Sequence, residues 1–331
     1  MPVTLEQAKV AMHDKVDQQV VDEFRRSSLL LDRLIFDDAV SPGTGGSTLT
    51  YGYQRLKTPA VAQFRNINQE YTAQEADRED IYVKLKIFGG AFEIDRVIQD
   101  TSGQINETQF QLQQKIIGAS NLFHYTVING DEAVDSKAFD GLNKALAGSS
   151  TELNADDVLD VSTSAAIESD KFALLDAIDN FLAELDGRPS MLLGNSKLIT
   201  KIKSVARRAG YLTQSEGAFG RTVQGYDGIP LVDLGYFVQV SGGVPSTVPV
   251  VPIVSRTINS QNTTGLTDLY AVSIGLDGFH GVSPTGNGVI RTYLPDFNSP
   301  GAVKKGEVEM VAAVALKNTR KAGVLRNIKV A

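Results

Sequence analysis

The sequence predicts an α+β fold, and three observations carry that prediction. Apolar residues recur at helical spacing in residues 4–36, 102–129, 170–185 and 195–209. They alternate at strand spacing in 49–53 and 81–87, and strand-rich segments return from 307 to 330. Between 151 and 235 the order is helix, strand, helix, loop, strand, the grammar of a compact mixed layer.

A chain of 331 residues is long for one simple core and suits two intertwined domains. Hydrophobic residues make up 42% and charged residues 21%, the balance of a folded protein in water. No apolar run approaches the roughly 20 residues of a membrane helix, and the longest, such as Met310 to Leu316, are strand-sized. No membrane partner is therefore expected. The N-terminus, MPVTLEQAKV, lacks the apolar centre of a signal peptide, so a cytoplasmic product is expected. With no cysteine, disulfides, thiolate catalysis and cysteine-bound zinc are excluded. The net charge of −7 argues against a dedicated nucleic-acid binder.

Thr4 with Gln7 makes a capping box, and Leu5, Ala8, Met12, Val16 and Val20 keep helical spacing. Residues 41–47, SPGTGGS, then break the chain. A long helix on such a tether is an arm, whose apolar stripe needs cover from elsewhere. Leu49, Tyr51 and Tyr53, then Ile81, Val83, Leu85 and Ile87, alternate as strands around a polar stretch. Its charge is segregated: Arg55, Lys57 and Arg65 come first, then Glu70, Glu75, Asp77, Glu79 and Asp80, with Arg78 among them. Two strands of about 13 residues would reach roughly 40 Å, and such a ribbon is unstable alone. It reads as a ribbon completed by a neighbouring subunit, against the plainer alternative of an exposed hairpin or loop. Those charged residues, Arg78 apart, are the eight expected inter-subunit contacts.

From Ser102 to Asn129 a helix of about 40 Å is expected, capped by Asn129-Gly130, with Ile105, Leu112, Ile116, Phe123 and Val127 as anchors. A loop carrying FDGLNKAL follows. Asp170–Leu185 reads as a helix, Ser190–Leu193 as a buried strand, and Asn195 as the cap of a helix ending at Gly210. Lys197, Lys201, Lys203, Arg207 and Arg208 decorate that last helix; such a face could touch nucleic acid, but its acidic surroundings point to an inter-subunit or solvated face instead. Ile229–Leu234 reads as a strand, 241–266 as a long loop or two exposed strands. Leu269–Ile274, Val289–Tyr293, Glu307–Leu316 and Val324–Val330 complete the strands.

Three short motifs now stand in order: Asn129-Gly130-Asp131 with Phe139-Asp140-Gly141-Leu142, Pro189-Ser190-Met191-Leu192-Leu193-Gly194-Asn195, and Tyr226-Asp227-Gly228-Ile229-Pro230-Leu231-Val232. With the arm, the charged loop and the long helix, the chain resembles the major capsid proteins of tailed bacteriophages, whose fold encapsulin shells share. The resemblance implies an N-arm at 1–48, an E-loop at 49–85, a peripheral domain with its spine helix at 86–150 and 267–331, and an axial domain at 151–266. It implies hexamers and pentamers of this chain in an icosahedral head around double-stranded DNA, assembled in the host cytoplasm as part of a virion. An acidic wall suits that cargo, which it holds by weak, non-specific contact at most. The partners implied are a portal, a decoration protein in some heads, and a separate scaffolding protein, since the arm helix begins within three residues of Met1. No cofactor is expected.

Other readings rest on fewer residues. An encapsulin-like compartment has the same fold, but the long arm and the 241–266 segment favour the phage reading. A hydrolase would use one of three histidines, His13, His124 or His280; His280 lies near Asp277 and Ser283 in a segment that reads as a loop. The acids from Asp156 to Asp160 read as a solvated helix start rather than a cation site. The glycines from Gly217 to Gly225 match no nucleotide-binding motif. Some members of the resembled family join an E-loop lysine to a neighbour's asparagine with a glutamate as base. Lys57 with Asn298 or Asn318 would be the pair here, but Val311–Leu316 has no acid and Glu309 lies before it. No covalent cross-link is expected.

Overall fold

The computed structural model describes residues 29–39, 48–101, 106–209, 213–216, 222–241, 244–284 and 290–331. The arm helix expected over 4–28, with His13, lies outside the described residues, as do the 41–47 breaker, Ile105 and Gly210. In chain order the first elements are α1 (Leu29–Arg33), β1 (Phe36–Ala39), β2 (Thr50–Thr58), β3 (Asp77–Lys84), β4 (Lys86–Asp95), α2 (Arg96–Thr101), α3 (Glu107–Asn129) and α4 (Leu142–Ala145). Then come β5 (Glu152–Asp160), α5 (Ser164–Ala183), β6 (Met191–Gly194), α6 (Ser196–Ala209), β7 (Thr213–Glu216), β8 (Thr222–Tyr226) and β9 (Ile229–Asp233). The remainder is β10 (Tyr236–Ser241), β11 (Val244–Pro249), β12 (Val254–Ile258), β13 (Gln261–Val272), β14 (Phe279–Pro284), β15 (Ile290–Tyr293), β16 (Val303–Leu316) and β17 (Ala322–Lys329).

Two sheets organise these elements. In the first, β16 is the hub: β4 pairs with one side from Val303 to Ala312, and β15 and β14 share the other. The second runs β5-β17-β13-β6-β9-β8-β7, with β12 also paired to β13. Side chains on a strand alternate between faces, and β13 uses both. Leu269 and Ala271 enter a core with α5 and α6, while Tyr270 and Val272 enter a core with α3 and β16. The second sheet is thus a wall between two cores, and the expected domain boundary at 266/267 falls inside β13.

The end of the arm packs on its own chain. Leu30 and Ala39 are fully buried, and β1 replaces the last turn of the expected helix, pairing in parallel with β14. Glycine at 281 permits this, because a Cβ there would lie 2.5 Å from the Phe36 ring. The segment around His280 is consequently strand β14, not a loop. The acids from Asp156 to Asp160 lie on β5, paired in parallel with β17, rather than at a helix start. Helix α5 begins six residues before Asp170, where the Thr163 side chain accepts from Ala166 N at 3.1 Å. The 241–266 segment forms β11, β12 and the start of β13, in two hairpins.

The helix expected from Ser102 to Asn129 is described from α3 onward, which starts where Asn106 Oδ1 accepts from Gln109 N. Residues 102–105 lie outside the described residues, and the short α2 precedes them. With 23 residues α3 is about 35 Å long. It stops at Gly130, but not through a left-handed glycine: Gly130 has φ −61° and ψ 136°. Glycine is needed for proximity, since a Cβ would lie 2.1 Å from the Phe139 carbonyl oxygen. The Gly130 N–H donates to Thr126 O at 2.8 Å, and its carbonyl accepts from Gly141 N at 2.9 Å. This clasp returns the chain so that Phe139 meets Phe123, which also touches Phe36 and Phe88. Gly130→Ala should therefore overpack the clasp and cost about 1–3 kcal/mol or more, read as a lowered urea midpoint with an unchanged m-value. An unchanged midpoint would show that the clasp yields freely.

Candidate inter-subunit surface

β2 and β3 pair from Thr50↔Lys84 to Thr58↔Asp77. This ribbon has a docked base and a free outer part. At the base, alternation turns Tyr51, Tyr53 and Arg55 toward the body and leaves Gly52, Gln54 and Leu56 exposed. Tyr53 OH donates to Leu316 O at 2.8 Å. The Arg55 guanidinium donates to Leu316 O at 2.8 Å and to Lys317 O at 3.0 Å, satisfying carbonyls at the end of β16. Tyr51 OH donates to Asp37 of the arm strand at 2.6 Å. That hydrogen bond, with Lys317 nearby, holds the Asp37 carboxyl below its usual range.

Beyond Arg55 every residue to Asp80 is exposed. The segregated charges pair across the ribbon: Arg55–Glu79 at 3.8 Å and Lys57–Asp77 at 3.6 Å. Arg65 lies at the tip over the Tyr71 ring and donates to Asn66 O and Gln69 O. Glu70 and Glu75 are exposed in the tip, and Asp80 is exposed opposite Gln54. Exposed pairs of this kind contribute roughly 0.2–1 kcal/mol. They set the hairpin's register more than its stability.

The charge pattern drew attention away from the tip's apolar residues. Val61, Phe64, Ile67 and Tyr71 are all more than 60% exposed, and Phe64 is wholly so. Among the described residues Arg65 lies over Tyr71, while Val61, Phe64 and Ile67 stay open to solvent. The signal was in the sequence as four large apolar residues in eleven positions, diluted by polar neighbours. Elsewhere on the body, β4, α3 and the 130–139 turn enclose a cleft of about 600 Å³, whose apolar lining includes Phe88, Leu122, Tyr125, Phe139 and Phe237.

The three residues of the hydrolase reading are not brought together. His280 is fully buried in β14. Ser283, three positions along the strand, faces the opposite side, and Asp277 is exposed in the preceding turn. His280 Nδ1 lies 3.3 Å from Gly278 O, and Nε2 is buried with no hydrogen-bond partner among the described residues. Among the described residues no cluster of three metal-ligating side chains occurs, and no helix is long and apolar enough to cross a membrane. Of the cross-link candidates, Lys57 pairs with Asp77, Asn318 donates to Asp186, and Glu309 stands opposite Gly89 and Arg291.

Burial pushes the pKa of both described histidines down, His124 to about 4. The unfolded chain takes up a proton near 6.5 and the folded chain only near 4, so acid favours unfolding. The contribution is intact above pH 6.5 and is lost progressively as pH falls toward 4, reaching about 3 kcal/mol for His124. His124→Phe should flatten the fall in melting temperature between pH 7 and 4.5. An equal fall in variant and parent would assign the acid sensitivity to the carboxylates.

No family model matches this chain, and no curated protein matches it in sequence. Solved structures do match it along nearly its whole length. The holo-SrpI encapsulin complex from Synechococcus elongatus PCC 7942 aligns with a TM-score of 0.63 at 14% identity, covering 99% of this chain and 96% of that one. The capsid of an empty GTA particle aligns at 0.58 with 12% identity, over 99% and 98%. The capsid of Myoviridae phage XM1 aligns at 0.57 with 10% identity, over 95% and 97%. The arm strand, projecting ribbon, long helix and paired cores therefore form the fold that phage capsid proteins and encapsulins share.

Proposed function

We propose that this chain is the structural subunit of a closed shell, assembling as hexamers and pentamers into an icosahedral phage head around double-stranded DNA. The observation that carries this reading is the ribbon: its base is bonded to its own subunit, and Val61, Phe64 and Ile67 at its tip are left open to solvent among the described residues. A second copy of the same chain supplies the cover, and we place the tip on the cleft beside α3 of that copy. In this reading Arg65, Glu70 and Glu75, together with the outer charges Lys57, Asp77 and Asp80, meet the neighbour around an apolar centre. The fold-level match supports a shell, and no reaction is assigned to the chain. Residues 1–48 act as the arm, 49–85 as the E-loop, 86–150 with 267–331 as the peripheral domain, and 151–266 as the axial domain. Scaffolding protein, portal and decoration protein are the separate partners of such a head.

One observation favours a second reading, a nanocompartment: the encapsulin has the highest TM-score of the three structures described above. Electron microscopy of particles purified from cells carrying the native locus separates the readings. DNA-filled or empty angular heads are expected. Shells filled with protein would establish the compartment, and small discrete particles without shells would overturn both. Boiled in detergent, the particles should run as one band near 35.6 kDa. A ladder of multimers abolished by Lys57→Ala would establish a covalent cross-link.

A further inference from the structure

We infer that the outer face of α6 is a binding surface for the phosphate backbone of duplex nucleic acid. The helix holds five of the chain's 32 lysines and arginines in 14 residues and no acid, although the whole chain carries −7. Leu198, Ile199, Ile202, Val205 and Ala206 are buried on one side. At 100° per residue they occupy a little over a third of the circumference. The remaining arc presents Lys197, Lys201, Lys203, Arg207 and Arg208, interleaved with the hydroxyls of Ser196, Thr200 and Ser204. Two of the cations are already engaged. Lys201 donates to Ser162 O, and Arg208 donates to Ser164 O and pairs with Glu168 at 3.3 Å. Lys197, Lys203 and Arg207 have no anionic partner among the described residues.

The chemistry of the face selects its ligand. A protein partner needs an apolar or aromatic anchor that can be desolvated, and no large exposed hydrophobic lies on α6. Phosphate contacts need only cations and hydroxyl donors along a line, and they carry no sequence information. From Lys197 to Arg207 the helix rises about 15 Å, room for contact with several successive phosphates. Three free cations give a weak, sliding contact, and the acidic remainder of the subunit keeps it weak.

The shell reading enters only in supplying the nucleic acid, so the test uses the unassembled full-length subunit. Anisotropy of a labelled 30-base-pair DNA is titrated with subunit across a salt series. With three phosphates neutralised, log K should fall with log salt at a slope of about −2.7, roughly a 40-fold loss between 50 and 200 mM. The slope should be the same for unrelated sequences. K197Q/K203Q/R207Q should lose most of the slope, while R96Q/K115Q/K305Q, with the same change in charge, should keep it. No binding by the parent at 50 mM salt, or an equal slope in the two triple variants, would overturn the inference. So would an α6 variant that binds DNA normally but forms no shells, which would make the face a subunit contact. Loss of shells in the parent would remove the proposed function and leave this measurement readable.

Discussion

Deleting residues 59–76 and joining Thr58 to Asp77 through Asn-Gly is expected to abolish shells while leaving the subunit folded and its melting temperature nearly unchanged. The cut lies beyond the last contact between ribbon and body, so Tyr53 and Arg55 keep their bonds to the end of β16. Asn-Gly suits a two-residue hairpin turn. A longer deletion starting at residue 52 would remove those anchors and confuse folding with assembly. The point variant Phe64→Ser/Ile67→Ser should have nearly the same effect, because apolar anchors at an interface centre each contribute about 2 kcal/mol or more and every copy in a closed shell repeats the loss. Reversing Lys57 alone should do far less. Light scattering and microscopy read the shells, and circular dichroism reads the fold. Normal shells from the deletion would remove the ribbon tip from the assembly surface.

Asp268→Asn should be the most damaging conservative change in the body of the subunit. The Asp268 side chain is 6% exposed and takes both forks of Arg256 at 2.6 Å. It also receives Arg326 at 3.1 Å, and Arg326 bonds Glu152 and Asn143 Oδ1. Four strands and α4 are joined through this one carboxylate. Neutralising it leaves two guanidinium groups with one partly buried acid, Glu152, between them, an imbalance that costs about 3–5 kcal/mol. Arg256→Gln should cost less, since that side chain is 29% exposed and water can replace part of the pair. Urea unfolding of the variants checks the order. Equal losses would mean that the network is held by packing and not by charge.

Helix α6 was legible because its cap is local, whereas α5 was read short of its Thr163 cap. Asn195 accepts from Leu198 N at 2.8 Å, as its position before an apolar run implies. Strand alternation likewise exposed β2, β3 and β16. What escaped was set by distant partners. β14 contains a histidine, a glycine and a proline in six residues and reads as a loop, yet it is a strand because Phe36 crosses Gly281 and β16 pairs along it. β5 is rich in Asp and Glu, poor strand formers, and becomes a strand through β17, more than 160 residues later. The ribbon's charge segregation was legible but admits a plainer cause, pairing across the hairpin. The apolar tip was visible in composition, but spacing could not show that Val61, Phe64 and Ile67 would stay open to solvent.

The placement of β16 and β17 has a consequence for the order of events at the ribosome. Val303 pairs with Asp95 and Val324 with Glu152, so each sheet waits for strands made about 170–210 residues after their partners. At roughly 5–20 residues per second the earlier strands spend about 10–40 s without these partners. During that interval β4 and β5 lack the strands that will join them. The ribbon's anchor is missing too, because Tyr53 and Arg55 bond to carbonyls at Leu316 and Lys317. The ribbon therefore gains its fixed direction only once Leu316 and Lys317 have emerged. In the proposed shell, a nascent chain would thereby be kept from pairing with finished subunits until its own fold is closed.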